Sequence, residues 1–238
     1  MKSRVVFDEK YAERLYVFRD RLDAGVKLGE WLRKLGLSAD VVYAVPAGGV
    51  PVGLMVSRAL GAKLDLVICR KLLIPWNREA GFGAVAPDGT FFYDEELVKY
   101  LGLTSSEVQE AISEQLAEVS RRLRVFRCGE PYREISGARV VVVDDGIAAG
   151  YTMKAAAEFL RKLGALEVYV AVPTCHTSAA YALARRVDAV YCLNPRSTAV
   201  YAVADAYQEW HDLDELEVLS YLRVAKEKGL LAYKAECI

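Results

Sequence analysis

The chain has 238 residues, 31 Lys and Arg against 32 Asp and Glu, and 53% hydrophobic residues. Balanced charge with a charged fraction of 26% excludes a disordered or acidic-tail protein. It also argues against a grip on duplex nucleic acid by overall basic charge. A length of this order suits one or two domains and buries a substantial core without disulfide or metal staples.

The first residues, MKSRVVFDEKYAERLYVF, carry a charge every few positions, which predicts neither a signal peptide nor a transmembrane span. No other apolar run approaches the roughly 18 residues of a membrane helix, so a soluble, cytoplasmic protein without membrane partners is expected. Cys69, Cys128, Cys175, Cys192 and Cys237 show no CxxC or CxxH spacing, and Cys69 and Cys192 sit in apolar runs as small hydrophobes. His176 and His211 are too few for a zinc site built on histidine. Two Asn and three Gln are a small number for this length, a composition that points weakly to a hot-growing source.

In chain order, a helical pattern over Asp23–Leu35 places Val26, Leu28, Leu32 and Leu35 near one face. A buried strand follows at Val41–Val45. The next helix, Pro51–Leu60, opens on a proline suited to a first turn and stops before Gly61. A second strand spans Leu64–Cys69. Lys71–Asp94 breaks the rhythm with Pro75, Gly81, Gly83, Pro87 and Gly89, and holds two candidate strands around the turn Pro87-Asp88-Gly89. Thr104–Arg127 is a long charged helix with a Thr104/Glu107 capping box. Strands at Val140–Val143, Val168–Val172 and Ala189–Leu193 then alternate with helices at Thr152–Leu163 and Thr177–Arg186, and Leu213–Lys228 closes the chain as a helix. Continuous rather than alternating hydrophobicity marks strands covered on both faces. The fold class is therefore α/β: a doubly wound, mainly parallel five-stranded sheet, read as one domain over 1–238. It carries an inserted flexible loop or hairpin at about 71–94, a long helix, and a small hood from about 194 to the end.

The strongest chemical signal is VVVVDDGIAAGYT at Val140–Thr152. A buried strand delivers Asp144 and Asp145 to its carboxyl end, where open α/β sheets bind ligands. The loop Gly146–Gly150 and the helix start near Thr152 form an anion site suited to a phosphate. Carboxylates repel phosphate but accept hydrogen bonds from vicinal hydroxyls one sugar-length away, so the pair and the loop together read as a ribose 5-phosphate site. Two solvated aspartates before a helix cap would give the same pattern, and a receiver-type acidic pocket is a competitor whose acidic pair should follow the first strand.

VVVVDDGIAAGYTM resembles the phosphoribosyl pyrophosphate (PRPP) motif of type I phosphoribosyltransferases. Phe18–Leu32, Val45–Gly53, Cys69–Gly89 and Val200–Leu222 resemble, in order, blocks of one branch, the uncharacterised bacterial and archaeal members. The resemblance implies the type I phosphoribosyltransferase fold, with Asp144 and Asp145 on the ribose hydroxyls and Gly146, Ile147, Ala148, Ala149, Gly150, Tyr151 and Thr152 around the 5′-phosphate. It implies a pyrophosphate loop at Ala47, Gly48 and Gly49, and pyrophosphate neutralisation by Arg70 and Lys71. Asn77, Arg78 and Glu79 fall in a mobile cover over Leu72–Phe92. The implied reaction is displacement of pyrophosphate from ribose C1 by a nitrogen nucleophile, with Mg²⁺ held by PRPP oxygens and, through water, by Asp144. A homo-oligomer, a dimer, is expected.

Three positions depart from that pattern. Ala47 stands where the branch has Arg, Ala149 where the motif has Thr, and Ala148 where 6-oxopurine enzymes have Asp. The first two leave open a regulator that binds PRPP or a nucleotide without turnover; the third disfavours hypoxanthine or guanine as acceptor. The acceptor hood is placed at Asn194–Asp214, where Tyr207 or Trp210 would stack on a base or pack the last helix onto the sheet. Arg121-Arg122-Leu123-Arg124 reads as a helix end complementing its dipole rather than a nucleic-acid patch. A dinucleotide-dependent oxidoreductase has little support, because no GxGxxG follows the first strand.

Overall fold

The run Val140–Val143 is buried on both sides, and the rest of the fold is arranged around it. Val140 and Val142 pack with Phe159 and Leu160 on one face, and Val141 and Val143 pack with Val42 and Ala44 on the other. The structure is a computed structural model; it describes residues 4–238, apart from the side chains of Arg78 and Glu79. Its strands are β1 (Arg4–Phe7), β2 (Val41–Ala44), β3 (Lys63–Leu66), β4 (Arg70–Ile74), β5 (Asn77–Val85), β6 (Phe91–Tyr93), β7 (Arg139–Val143), β8 (Glu167–His176) and β9 (Ala189–Arg196). Its α-helices are α1 (Arg21–Lys34), α2 (Gly49–Leu60), α3 (Glu95–Leu101), α4 (Ser105–Arg127), α5 (Tyr151–Lys162), α6 (Thr177–Leu183) and α7 (Glu215–Glu227).

The main sheet runs β1-β9-β8-β7-β2-β3, with parallel pairing throughout. Helices α1, α2, α4 and α7 cover one face, and α5 and α6 the other, as the two groups of buried side chains show. The sheet has six strands rather than five. The extra one, β1, is a four-residue edge strand with charged neighbours and shows no long apolar run. Strands β8 and β9 also extend beyond Val172 and Leu193. Their added ends are polar but buried: Thr174 Oγ1 donates to Asn194 Oδ1 at 2.9 Å.

Residues 71–94 form three strands instead of two, the antiparallel sheet β4-β5-β6. Leu72, Phe82, Ala84 and Val85 anchor it in the core, so the proline- and glycine-rich stretch has a buried side as well as an exposed one. The expected turn at Pro87–Gly89 joins β5 to β6, with Asp88 accepting from Thr90 N at 3.0 Å. The Thr104/Glu107 capping box starts α4.

Helix α4 ends in two features unmarked in the sequence. Arg127 is buried against Asp65, with Nε–Oδ1 at 2.8 Å and Nη2–Oδ2 at 3.1 Å, and Tyr132 and Tyr233 flank the guanidinium. Burial still holds the Asp65 carboxyl above the usual carboxylate range, and the bidentate pairing with Arg127 offsets that desolvation only in part. Beside it, Cys128 and Cys237 form a disulfide with Cα atoms 5.4 Å apart. No helix among the described residues is long and apolar enough to cross a membrane.

Candidate active site

Strands β2, β3 and β7 end side by side in the parallel sheet, and the residues following them line one cavity of about 680 Å³. Asp144 and Asp145 leave β7 into this cavity. Asp144 Oδ1 accepts the backbone N–H of Asp145 at 2.9 Å. Although Asp144 keeps some contact with the cavity, it lies deep in the cleft. Burial first, and the neighbouring Asp145 second, push its carboxyl well above the usual carboxylate range, while Lys71 and Arg21 act in the opposite sense.

The loop after the carboxylates is fastened to β8. Ile147 N–H donates to Thr174 O at 3.0 Å and His176 N–H to Ile147 O at 2.9 Å. Gly150, at φ +78°, turns the chain into α5, whose first-turn N–H groups have no intrahelical acceptor. Gly146 to Thr152 all line the cavity, so the loop comes together as a unit. The Tyr151 hydroxyl donates to Asp94 Oδ2 at 2.8 Å, tying the loop to the small sheet, and burial pushes that phenol up to about 12.

The loop between β2 and α2 crosses close beside the carboxylates. The Pro46–Ala47 peptide is cis. A Cβ at Gly48 would stand 1.9 Å from Asp145 Oδ2, and one at Gly49 would stand 2.8 Å from Val143 O. Glycine is required here by space: Gly48 has an ordinary φ of −59°. Ala47 and Gly48 face the cavity, whereas Gly49 begins α2 and is buried.

Arg70 and Lys71 open β4 and also reach the cavity. The Arg70 Nε donates to Gln115 Oε1 at 3.3 Å. Burial lowers the pKa of Arg70, and the neighbouring Arg122 lowers it further. Arg122 itself lines the cavity from α4, held by Glu118 at 2.8 Å. The arginine run at 121–124 thus contributes one wall residue besides complementing a helix end, and Arg121 is paired with Glu118 and Glu215. Two half-buried guanidinium groups side by side raise the affinity of this wall for an anion. Asn77, exposed at the start of β5, is absent from the cavity wall, to which the small sheet contributes Arg70, Lys71, Gly81 and Gly83. Of the implied cover residues, the side chains of Arg78 and Glu79 lie outside the described part.

The model of the phosphoribosyl transferase domain family matches residues 91–208. Two Mycobacterium tuberculosis proteins, "Putative phosphoribosyl transferase MT0597" and "Putative phosphoribosyl transferase Rv0571c", are each 36% identical to the chain over 206 residues, 87% of this chain and 46% of theirs. The chain therefore spans about half the length of these curated relatives. The crystal structure of TT1426 from Thermus thermophilus is 34% identical with a TM-score of 0.68, over 86% of this chain and 97% of that one. The chain belongs to the phosphoribosyltransferase family.

In this member of the family, the structure decides between the two readings of one hood residue. Tyr207 is 1% exposed, with its ring against Phe18 and Trp210, so no base can stack on it. Its hydroxyl instead donates to the backbone oxygen of Asp145 at 2.6 Å and holds the carboxylate loop from behind. Trp210 does line the cavity, with the Arg21 guanidinium 3.8 Å from its ring centroid. Tyr207→Phe leaves that carbonyl without its partner, and a loss of about 1–3 kcal/mol is expected. At roughly 2–4 °C per kcal/mol for a chain of this size, the melting temperature should fall by about 2–12 °C in scanning calorimetry. An unchanged melting temperature would show that the bond carries no weight.

Arg21, like Arg122, is a site residue that sequence reasoning overlooked. It is the first residue of α1, 7% exposed, and its Nε bonds Asp145 Oδ2 at 2.8 Å. The signal available was slight: an arginine beside Asp20, which caps α1 by accepting from Asp23 N. Its partner lies 124 positions away, and no local pattern links the two.

Proposed function

We propose that the protein transfers the 5-phosphoribosyl group of PRPP to a nitrogen nucleophile, with release of pyrophosphate. The observation that carries this is the pairing of Asp144 and Asp145 with the phosphate loop 146–152 and the cation wall of Arg70, Lys71 and Arg122 around one cavity. Its dimensions suit a phosphorylated sugar bearing a second anionic group.

The residues divide the substrate between them. The loop amides and Thr152 would take the 5′-phosphate, and Asp144 and Asp145 would accept hydrogen bonds from the ribose hydroxyls. Arg70, Lys71 and Arg122 would face the pyrophosphate. As the bond from ribose C1 to pyrophosphate breaks, positive charge develops on the ring and negative charge on the leaving group. The carboxylates stabilise the first and the cations the second, so positioning and electrostatics supply most of the rate. The nucleophile forms the new C–N bond and gives up its proton. The β4-β5-β6 sheet beside the cavity would restrict water, which competes for the oxocarbenium-like centre.

The site also suits Mg²⁺. Asp144 and Asp145 are hard oxygen donors, and the upward-shifted Asp144 calls for a positive neighbour. Among the described residues no cluster of three or more His, Cys, Asp or Glu side chains is arranged to hold a metal ion alone. Substrate oxygens would therefore complete the shell, with Asp144 contributing through water. When bound, the ion would neutralise charge building on the pyrophosphate.

Alanine at 148 leaves no carboxylate for a 6-oxopurine ring, so the acceptor is sought among other nucleobases and small amines. Ala47 and Ala149 favour a second reading, a PRPP- or nucleotide-binding regulator on the same fold. Pyrophosphate release separates the two: the protein with Mg²⁺, PRPP and an acceptor panel is expected to release pyrophosphate with at least one acceptor. Calorimetric binding of PRPP with no release across the panel would establish the regulator instead.

A further inference from the structure

The guanidinium of Arg21 is fixed on three sides. Nε donates to Asp145 Oδ2 and Nη1 to His211 O, both at 2.8 Å, and the Trp210 ring lies 3.8 Å from its central carbon. No hydrogen bond forms on the remaining nitrogen, Nη2, among the described residues, and it is not a buried unsatisfied atom, so it opens to the cavity that Arg21 lines. The same guanidinium lies against the β2–α2 loop: Nε would be 3.2 Å from a Cβ at Gly48. That loop brings no charge of its own, since the side chain it turns to the cavity is the half-buried Ala47.

We propose that Arg21 is a ligand-binding residue that donates from Nη2 to an oxygen of the pyrophosphate group, supplying from α1 the cation the β2–α2 loop lacks. This rests on the phosphoribosyl transfer proposed above. The geometry favours pyrophosphate over the 5′-phosphate, because Arg21 borders Gly48 and Asp145, whereas the phosphate loop turns away toward α5. The forked shape of arginine suits this role, since two arms are committed to Asp145 and the hood while the third stays available, which a single ammonium cannot reproduce. The stacked Trp210 face and the two short bonds hold the donor in place before the ligand arrives, so little ordering entropy is lost on binding. Leaving-group charge would then meet cations from two directions, Arg21 from α1 and Arg70, Lys71 and Arg122 from β4 and α4.

The test is calorimetric titration of wild type, Arg21→Met, Arg21→Lys and the double variant Arg21→Met with Ala47→Arg. Each is titrated with Mg²⁺-pyrophosphate and, separately, with ribose 5-phosphate. Loss of a charge-assisted bond weakens binding by about 10- to 150-fold. Arg21→Met is expected to show that loss for pyrophosphate and a loss at least tenfold smaller for ribose 5-phosphate. Ala47→Arg should recover most of the pyrophosphate affinity in the double variant. Arg21→Lys, whose ammonium is drawn to Asp145, should lose about fivefold or more for pyrophosphate, and it serves as the readout if Arg21→Met does not fold. Equal losses for both ligands, unchanged pyrophosphate affinity, or no recovery with Ala47→Arg would reduce Arg21 to a residue that positions Asp145. Wild type that binds neither ligand would overturn the phosphoribosyl reading itself.

Discussion

Replacing Asp144 with Asn is expected to make the unliganded protein more stable at neutral pH while removing most of its affinity for a ribose phosphate. The Asp144 carboxyl is held well above the usual carboxylate range, by burial and then by Asp145. A carboxyl whose folded pKa exceeds its unfolded value of about 4 binds its proton more tightly in the native state. Its contribution to stability is therefore complete below the unfolded pKa and declines as pH rises toward the folded one. Asn has no charge to lose, yet its Oδ1 can still accept the Asp145 N–H as Asp144 Oδ1 does. The difference between variant and wild type should be near zero around pH 3 and grow to about 1–2 kcal/mol at pH 7, the usual scale for relief of a strained functional site. Urea unfolding across that pH range checks the sign; a variant less stable than wild type at pH 7 would refute it. Binding moves the other way. Each charge-assisted bond to a ribose hydroxyl contributes about 1.5–3 kcal/mol, so Asp144→Asn with Asp145→Asn should weaken ribose 5-phosphate by about 10²- to 10⁴-fold. Unchanged affinity in that double variant would remove both carboxylates from the site.

The parts of this site legible in the sequence are those built from consecutive residues. Val140–Thr152 contains a strand, two carboxylates, a glycine loop and a helix start in one stretch, and the structure keeps that stretch together around the cavity. Gly48 and the Arg70-Lys71 pair were legible for the same reason, as residues following β2, which pairs with β7, and β3, which pairs with β2. Arg21 and Arg122 were not, because each reaches the cavity from a helix whose orientation depends on packing between elements far apart in the chain. For Tyr207 the sequence leaves stacking and packing both open, because an aromatic residue near a site has the same sequence signature whether it faces the ligand or supports the loop behind it. Among the folded elements, largely apolar runs identified five strands. The misses include β1, short and opening on Arg4, the strand β4, and the polar extensions of β8 and β9, whose buried Thr174 and Asn194 satisfy each other. A buried polar pair is visible only once both partners are placed.

Removing the disulfide is expected to cost more stability than removing any one hydrogen bond of the site. Cys128 and Cys237 are 109 positions apart, so the crosslink closes a loop spanning nearly half the chain in the unfolded state. Loop-closure entropy for about 100 residues corresponds to roughly 4–5 kcal/mol, and measured values for disulfides cluster at about 2–4. The native tail has independent anchors that should preserve the fold. Tyr233 OH donates to Phe126 O at 2.8 Å, the Glu130 carboxylate accepts from Ala235 N at 2.9 Å, and Lys226 Nζ reaches Ala235 O at 2.9 Å. The effect is therefore expected in the unfolded ensemble rather than as a rearranged native state. Cys128→Ser with Cys237→Ser, or wild type in reductant, should melt about 4–16 °C lower at roughly 2–4 °C per kcal/mol. Neither cysteine lines the cavity, so affinity for ribose 5-phosphate should be unchanged. Scanning calorimetry with and without reductant decides the matter, and a shift under about 2 °C would show that the noncovalent anchors already constrain the unfolded chain.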